Sequence, residues 1–587
     1  SGYQDNFRST VVAALEFEQK LNFITEGLRF KALASFKNWS STTNSASAGW
    51  NKYHLQDFSV DDNGVYSFVT RLQNESGGEV STDLKPGVAN SGDRRFYFQA
   101  IMDYNRTFGK HDVNAMFIYN QDELVTQLFS GDLIAALPKR KQGVAARLSY
   151  AYDGKYLAEV NMGYNGSENF AKGHRWGFFP SIAVGYNISE EAFFEPLKNV
   201  FSNMKIRASW GLVGNDNIGG ARFVYMPTIN LTGTGYTTGL DGDITYKGPV
   251  YSRYGNPEVT WEVGKKVNVG LDLQLFNSLN LTMDYFHETR TDIFQERGTI
   301  PQYLGTAGTK VFGNLAAMKN QGFDFAADFN KKIGKDWFIS FKGTFTYAHN
   351  EITKYDESPK YAFQSKVGQS ANIPSIMISD GLFKDPDDVK NSNQQIGGNL
   401  SAGDIKYVNI SKLYGYDDDI VDISDWVWAK NPTVPEIVYG FGPSIRWKNL
   451  DFSFFFQGVA KVSLVMSDFH PFGDNSLRNV LTWIADDRWS PDNQNINATY
   501  PRLTRDTSVN NTQRSDYWLR NAAFIKLKNA EIGYTYKNMR FYVSGMNLAT
   551  FSPFKHWDPE QGGGNGLKYP TQRVFNFGFQ MTINNNR

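Results

Sequence analysis

The chain of 587 residues contains no cysteine, which excludes disulfide scaffolds, thiolate metal sites and thiol nucleophiles together. It carries no net charge, with 60 basic against 60 acidic residues spread without basic blocks. Nothing in it attracts nucleic acid or an acidic membrane surface. No apolar run approaches the roughly 18 to 20 residues of a membrane-spanning helix. G-x-S-x-G, H-E-x-x-H and P-loop patterns are missing, and the Gly-rich stretches "GLVGND" and "GGGNG" do not sit between a strand and a helix. No enzyme is expected. The chain also lacks a starting Met and a leader, opening at "SGYQDNFRST", so residue 1 is read as a boundary inside a longer precursor.

What the sequence does have is rings. Aromatics make up 15% of it, with 31 Tyr beside 53 Gly, at a mean hydropathy of −0.45. A chain this polar needs a use for its aromatics other than a conventional core. The segment "RWGFFPSIAVGYNISEE" points to that use. Phe178, Ile182, Val184, Tyr186 and Ile188 share one parity, while Ser181, Ala183, Gly185, Asn187 and Ser189 share the other. Successive strand side chains point to opposite faces. The same alternation recurs in "KYLAEVNMGYN", in "VNVGLDLQL" with its partner beginning at Leu279, and in "RVFNFGFQMTI" near the C-terminus.

The residues on the non-apolar parity discriminate between a half-buried sandwich strand and a membrane strand. They include Glu159, Asp272, Gln274 and Asp284 in mid-strand, which are expected to face a wet lumen while Phe, Leu, Val and Tyr face lipid. The segments run about 10 to 14 residues, against the 9 to 11 that cross a bilayer and the 5 to 6 of an average globular strand. Short turns alternate with long connections at about residues 41–93, 216–259, 351–436 and 464–518, as in outer-membrane barrels. The pattern gives an all-β, transmembrane antiparallel β-barrel of about 17 strands, from 8–21 to 570–583 and including 451–463 and 519–534. Bacterial barrels use even numbers. An odd count that starts outside and ends inside predicts that further strands lie elsewhere.

These residues resemble the TonB-dependent outer-membrane transporters of the SusC/RagA type. The likeness rests on 137–191, "MKIRASWGLVGND" (204–216), 261–286, "DRWSPDNQNINATYPRL" (487–503), 515–535, "RFYVSGMNLATF" (540–551) and "YPTQRVFNFGF" (569–579). The family's barrel has about 22 strands. The resemblance therefore implies that residues 1–587 are the C-terminal part of such a barrel. It likewise implies that the N-terminal regulatory-like domain, the TonB box, the plug and the first strands are absent from this chain. It further implies active import of large nutrients, typically oligosaccharides and in some members peptides. The implied partners are the N-terminal part of the same transporter, a SusD-like surface lipoprotein lid, the TonB-ExbB-ExbD energy system and outer-membrane lipid. A passive outer-membrane pore and a surface adhesin barrel are the rival readings.

Candidate site residues are the aromatics of the long loops. Trp426, Trp428, Trp483, Trp489, Trp518 and Trp557 are expected to offer exposed rings to a sugar or peptide; loop packing and interface anchoring are the alternatives. The run "YGYDDDIVD" places Asp417, Asp418, Asp419 and Asp422 close in sequence. Calcium takes 6 to 8 oxygens and a glycine in the tight part of its loop. No glycine follows these acids, so a solvated acidic loop is preferred over a Ca²⁺ site and no cofactor is expected.

Overall fold

The computed structural model describes residues 2–72, 81–126, 134, 137–301, 309–416, 418–468, 480–504 and 508–583. Seventeen strands join in one sheet. In chain order they are β1 (Gly2–Lys20), β2 (Leu28–Ser47), β3 (Lys85–Phe108), β4 (His111–Thr126), β5 (Lys139–Tyr152), β6 (Tyr156–Ser167), β7 (Trp176–Asn187), β8 (Phe201–Asn215) and β9 (Glu262–Leu275). They continue as β10 (Leu279–Glu296), β11 (Phe312–Ile333), β12 (Trp337–Lys354), β13 (Ile437–Trp447), β14 (Leu450–Ala460), β15 (Phe524–Tyr536), β16 (Met539–Phe551) and β17 (Val574–Met581). Each pairs antiparallel with its sequence neighbours, so β1 and β17 form the two edges of the described sheet.

Register fixes the faces. One row runs Val184, Ala208, Val269, Tyr285, Phe323 and Tyr347; the adjacent row runs Gly185, Arg207, Gly270, Asp284, Asp324 and Thr346. The exposed face is the apolar one: Val184, Val269, Tyr285 and Phe323 all lie open. A water-soluble sheet buries such residues, so the solvent of this face is lipid. Its rings gather in two belts. At the short-turn end Tyr152, Tyr156 and Tyr186 stack in sequence, with centroids 6.5 and 5.2 Å apart, and Trp337 stacks on Trp447 at 5.7 Å. Towards the other end Tyr164 stacks on Trp176 at 4.8 Å. With a rise of ~3.3 Å per residue and ~45° tilt, Tyr156 and Tyr164 are roughly 20 Å apart along the membrane normal, close to the height of a barrel's apolar band.

The hairpins close where left-handed backbone is available. Asp153 and Gly154 (φ 54° and 68°), and Phe276 and Asn277 (φ 52° and 53°), have the positive angles of a turn that matches strand twist. The connection expected at 41–93 is shorter, because β2 runs on to Ser47 and β3 starts at Lys85, and β1 starts at Gly2 rather than at 8, these polar ends being held by the ladder alone. The long connections depart from the sequence expectation in two further ways. First, two of them carry hairpins of their own, Tyr53–Val60 with Tyr66–Leu72 and Thr228–Thr238 with Ile244–Arg253. Second, β14 ends at Ala460 and β15 begins at Phe524 rather than at 463 and 519. Lys461 at φ 50° turns the chain, and Ser463–Val465 then pairs with Leu519–Asn521 in a separate small sheet.

Candidate functional site: the charged inner wall and the loop cap

The inner face is organised by arginines, each held by carboxylates from neighbouring strands. Arg207 on β8 donates from Nη1 and Nη2 to Asp284 at 2.7 and 2.6 Å, and from Nε to Asp272 at 3.1 Å. Gly270 lies between them, and a Cβ there would stand 2.5 Å from the Arg207 Cζ. Only a glycine lets the guanidinium lie across the strand. Arg540 on β16 likewise bridges Asp451 and Glu531, and Arg29 on β2 bridges Asp103 and Glu18. Glu159 accepts from Ser149 Oγ at 2.9 Å and Asn161 Nδ2 at 2.8 Å, with Arg147 Nε 3.1 Å away. Gln274 has the same parity, level with Asn203 and Asn280. Such a wall keeps its charges paired but in contact with water, so it suits passage of polar solute rather than apolar packing.

Above the longer-loop end, the described parts of connections 355–436, 461–523 and 552–573 fold together as a cap. Its hydrophobic core joins Met377 and Ile405 from the first, Leu464, Ile484 and Trp518 from the second, and Phe554 from the third. Polar locks hold it. Asp404, buried, takes a two-pronged contact from Arg502 at 2.7 and 3.1 Å and a bond from Asn511. Burial pushes the Tyr407 phenol up, so it stays a neutral donor to the Asn510 carbonyl. A smaller cluster of Phe170, Ile218, Val224, Val259 and Trp261 stiffens connections 168–175 and 216–261.

This core corrects the expectation of exposed loop tryptophans. Trp518 is 2% and Trp489 7% exposed, and Trp426, Trp483 and Trp557 pack against the same core. Trp428 is half-buried and donates to the Ser365 carbonyl at 2.9 Å. Long loops that lie over water bury what apolar area they own, and tryptophan offers the most per residue. The acidic run does not converge either. Asp417 lies outside the described residues; Asp419 faces Lys412 at 3.7 Å, and Asp422 accepts from the Ser424 N–H at 2.6 Å as a helix cap. Among the described residues no group of three or more acids or histidines assumes metal-holding geometry.

Sequence reasoning missed two features. The first is the partnering of Asp272 and Asp284 through Arg207, which needs a register that alternation alone does not supply. The second is a latch at the base of the cap. A register shift between Leu527 and Asn529 bulges β15, and Lys526, 1% exposed, reaches Asp558 at 2.7 Å and Glu560 at 2.6 Å in connection 552–573. Lys528 adds a contact to Glu560 at 2.8 Å. Two lysines two positions apart in an otherwise apolar strand start were the available signal.

Comparison with known proteins agrees with this fold. The sequence profile of the family described as TonB dependent receptor-like, beta-barrel, matches residues 2–548. The TonB-dependent receptor P3 of Formosa agariphila is 25% identical, across 98% of this chain and 58% of its own length. The TonB-dependent receptor SusC of Bacteroides thetaiotaomicron is 27% identical, across 74% of this chain and 43% of its own. The chain thus spans about half the length of these relatives. Among solved structures, the RagAB peptide transporter superposes with a TM-score of 0.70 at 20% identity, covering 98% of this chain and 62% of the other. The RagAB peptide importer in its open-open state gives 0.71 at 19% identity, covering 99% and 62%.

Proposed function

The chain belongs to the TonB-dependent receptor-like β-barrel family, and from that premise we propose that it forms the C-terminal part of an energy-coupled nutrient importer of the SusC/RagA type. Its place is the outer membrane, and its role is not catalytic. The observation that carries the reading is the inverted sheet, apolar outside and ion-paired inside. The unpaired edges of β1 and β17 support a barrel whose remaining strands, plug and TonB box come from the N-terminal part of the same transporter, because open edges are not tolerated in lipid. A SusD-like lipoprotein closes it from outside, and TonB-ExbB-ExbD supplies the energy.

For the cargo we favour oligopeptides. Of the six loop tryptophans, Trp489 and Trp518 are buried in the cap core and Trp426, Trp483 and Trp557 pack partly against it, which reduces the stacking faces left for sugars, and the wall of paired charges suits zwitterionic and charged chains. The likeness in fold to a peptide transporter agrees with this. Oligosaccharide import is the second reading, favoured by a ladder of rings Tyr414, Phe363, Tyr361 and Tyr416 with centroids 4.7, 5.4 and 4.5 Å apart, whose end rings are exposed. Mass spectrometry of the complex extracted in mild detergent should recover an N-terminal barrel-and-plug portion, a surface lipoprotein and bound peptides. Recovery of bound glycan would select the second reading. Uptake in whole cells should stop on adding a protonophore; uptake that continued would return the passive pore, and growth that ignored loss of the gene would return the adhesin.

A further inference from the structure

The connection between β7 and β8, residues 188–200, is unlike its neighbours at the short-turn end. It forms two 3-10 stretches, Ile188–Glu190 and Ala192–Leu197, where the other strand pairs at this end are joined by two- or three-residue turns or, between β1 and β2, by the seven residues 21–27. Its start is still tied to the wall, Ser189 donating to Asn203 Oδ1 at 3.2 Å, and from Glu191 onward two contacts place it outside the barrel. Glu191 accepts from Tyr156 Oη at 2.7 Å and Tyr186 Oη at 3.3 Å, and both tyrosines belong to the belt on the apolar outer face. Phe194, buried, packs edge-on against Phe201 at 6.4 Å. The register shift after Phe201 sets that residue opposite Leu275, again on the outer face.

The other side of the connection carries apolar residues that none of the described residues covers. Phe193 is 69% exposed, Leu197 49% and Val200 41%, and Phe276 of the adjacent turn, whose N–H bonds to the Val200 carbonyl at 2.9 Å, is 58% exposed. We propose that residues 188–200 are a membrane foot, with Phe193, Leu197, Val200 and Phe276 entering the edge of the inner leaflet of the outer membrane. Lipid is the occupant because the patch continues the lipid-facing wall directly below its tyrosine belt. The charged pair Glu195 and Lys198, 2.8 Å apart, stays at headgroup level, as expected of an amphipathic segment lying in the interface. The inference needs the barrel in its membrane and is indifferent to what the barrel imports.

The absence of cysteine from this chain makes the test direct. Nitroxide labels are placed at Phe193→Cys, Leu197→Cys and Lys198→Cys in the complete transporter reconstituted in phospholipid bilayers, with Val184→Cys on the wall as the lipid-facing control and the unsubstituted protein as the labelling blank. Collisions with oxygen should dominate at 193 and 197, approaching the 184 control, while a water-soluble nickel chelate should reach 198 several-fold more often. Equal access of the chelate to all three foot positions would overturn the proposal. Labels at 193 and 197 shielded from oxygen and chelate alike would also overturn it, by showing a protein covering the patch.

Discussion

At the scale of single residues, the inner wall and the cap make different demands. Arg207 satisfies Asp272 and Asp284 in one geometry, and a lysine ammonium cannot reproduce the two-pronged contact. Arg207→Ala is expected to cost about 1–3 kcal/mol by leaving the carboxylates facing each other, read as earlier loss of the heat-modifiable folded band. Adding Asp284→Asn should recover part of that loss. Trp518→Ala should cost about 3–5 kcal/mol within the cap, so that proteases cut connection 461–523 while the strands stay protected. A ligand-contact role for Trp518 would instead alter uptake without new cleavage. That Asp272 and Asp284 share the face opposite Val269 and Tyr285 was legible from parity alone, because a strand's two faces are written two residues apart. The tryptophans were not, because whether a loop residue is exposed depends on partners more than a hundred positions away.

Elements were the most legible level. The alternation located all seventeen strands, and it erred mainly at the long-connection ends, where β1, β2, β3 and β11 run on beyond the apolar alternation, the first three as polar, Ser-, Thr-, Asn- or Gly-rich ladders, and to a lesser degree where a left-handed residue such as Lys461 turns the chain. The faces it assigned can be tested side by side. Val269→Arg, on the lipid face, should destabilise the barrel by about 2–4 kcal/mol, whereas the neighbouring Asn268→Arg should be tolerated. Urea unfolding in bilayers of matched thickness measures both. The latch on connection 552–573 belongs to the same scale. Burial works against the charged forms of Asp558 and Glu560, but Lys526, with Lys528 and a backbone N–H beside them, outweighs it and holds both carboxyls below their ordinary range. A carboxyl with a depressed folded value contributes stability that is complete above its unfolded value of about 4 and is lost as pH falls through the folded one. Docking of this connection should therefore be constant from pH 8 to 5 and fail only below about 4, followed by hydrogen exchange across 552–573. In Lys526→Met it should be loose throughout that range.

For the whole molecule, the sheet is a simple meander, and the cap is not. Every strand partner is a neighbour in sequence, so the wall can assemble one hairpin at a time with little loop-closure entropy. The cap joins residues from Met377 to Phe554 in one core and can form only after β12 to β17 stand side by side. That architecture was invisible in the sequence because nothing local marks which loops will meet. It also bears on biogenesis. A prefolded cap is far wider than any gap between two strands, so these connections must cross the outer membrane as unfolded chain, carrying Trp489, Trp518 and their neighbours bare through the periplasm. The residues that make the cap rigid once outside are the same ones that make the precursor sticky on the way, and the demand for a holding chaperone is set by the loops rather than by the strands.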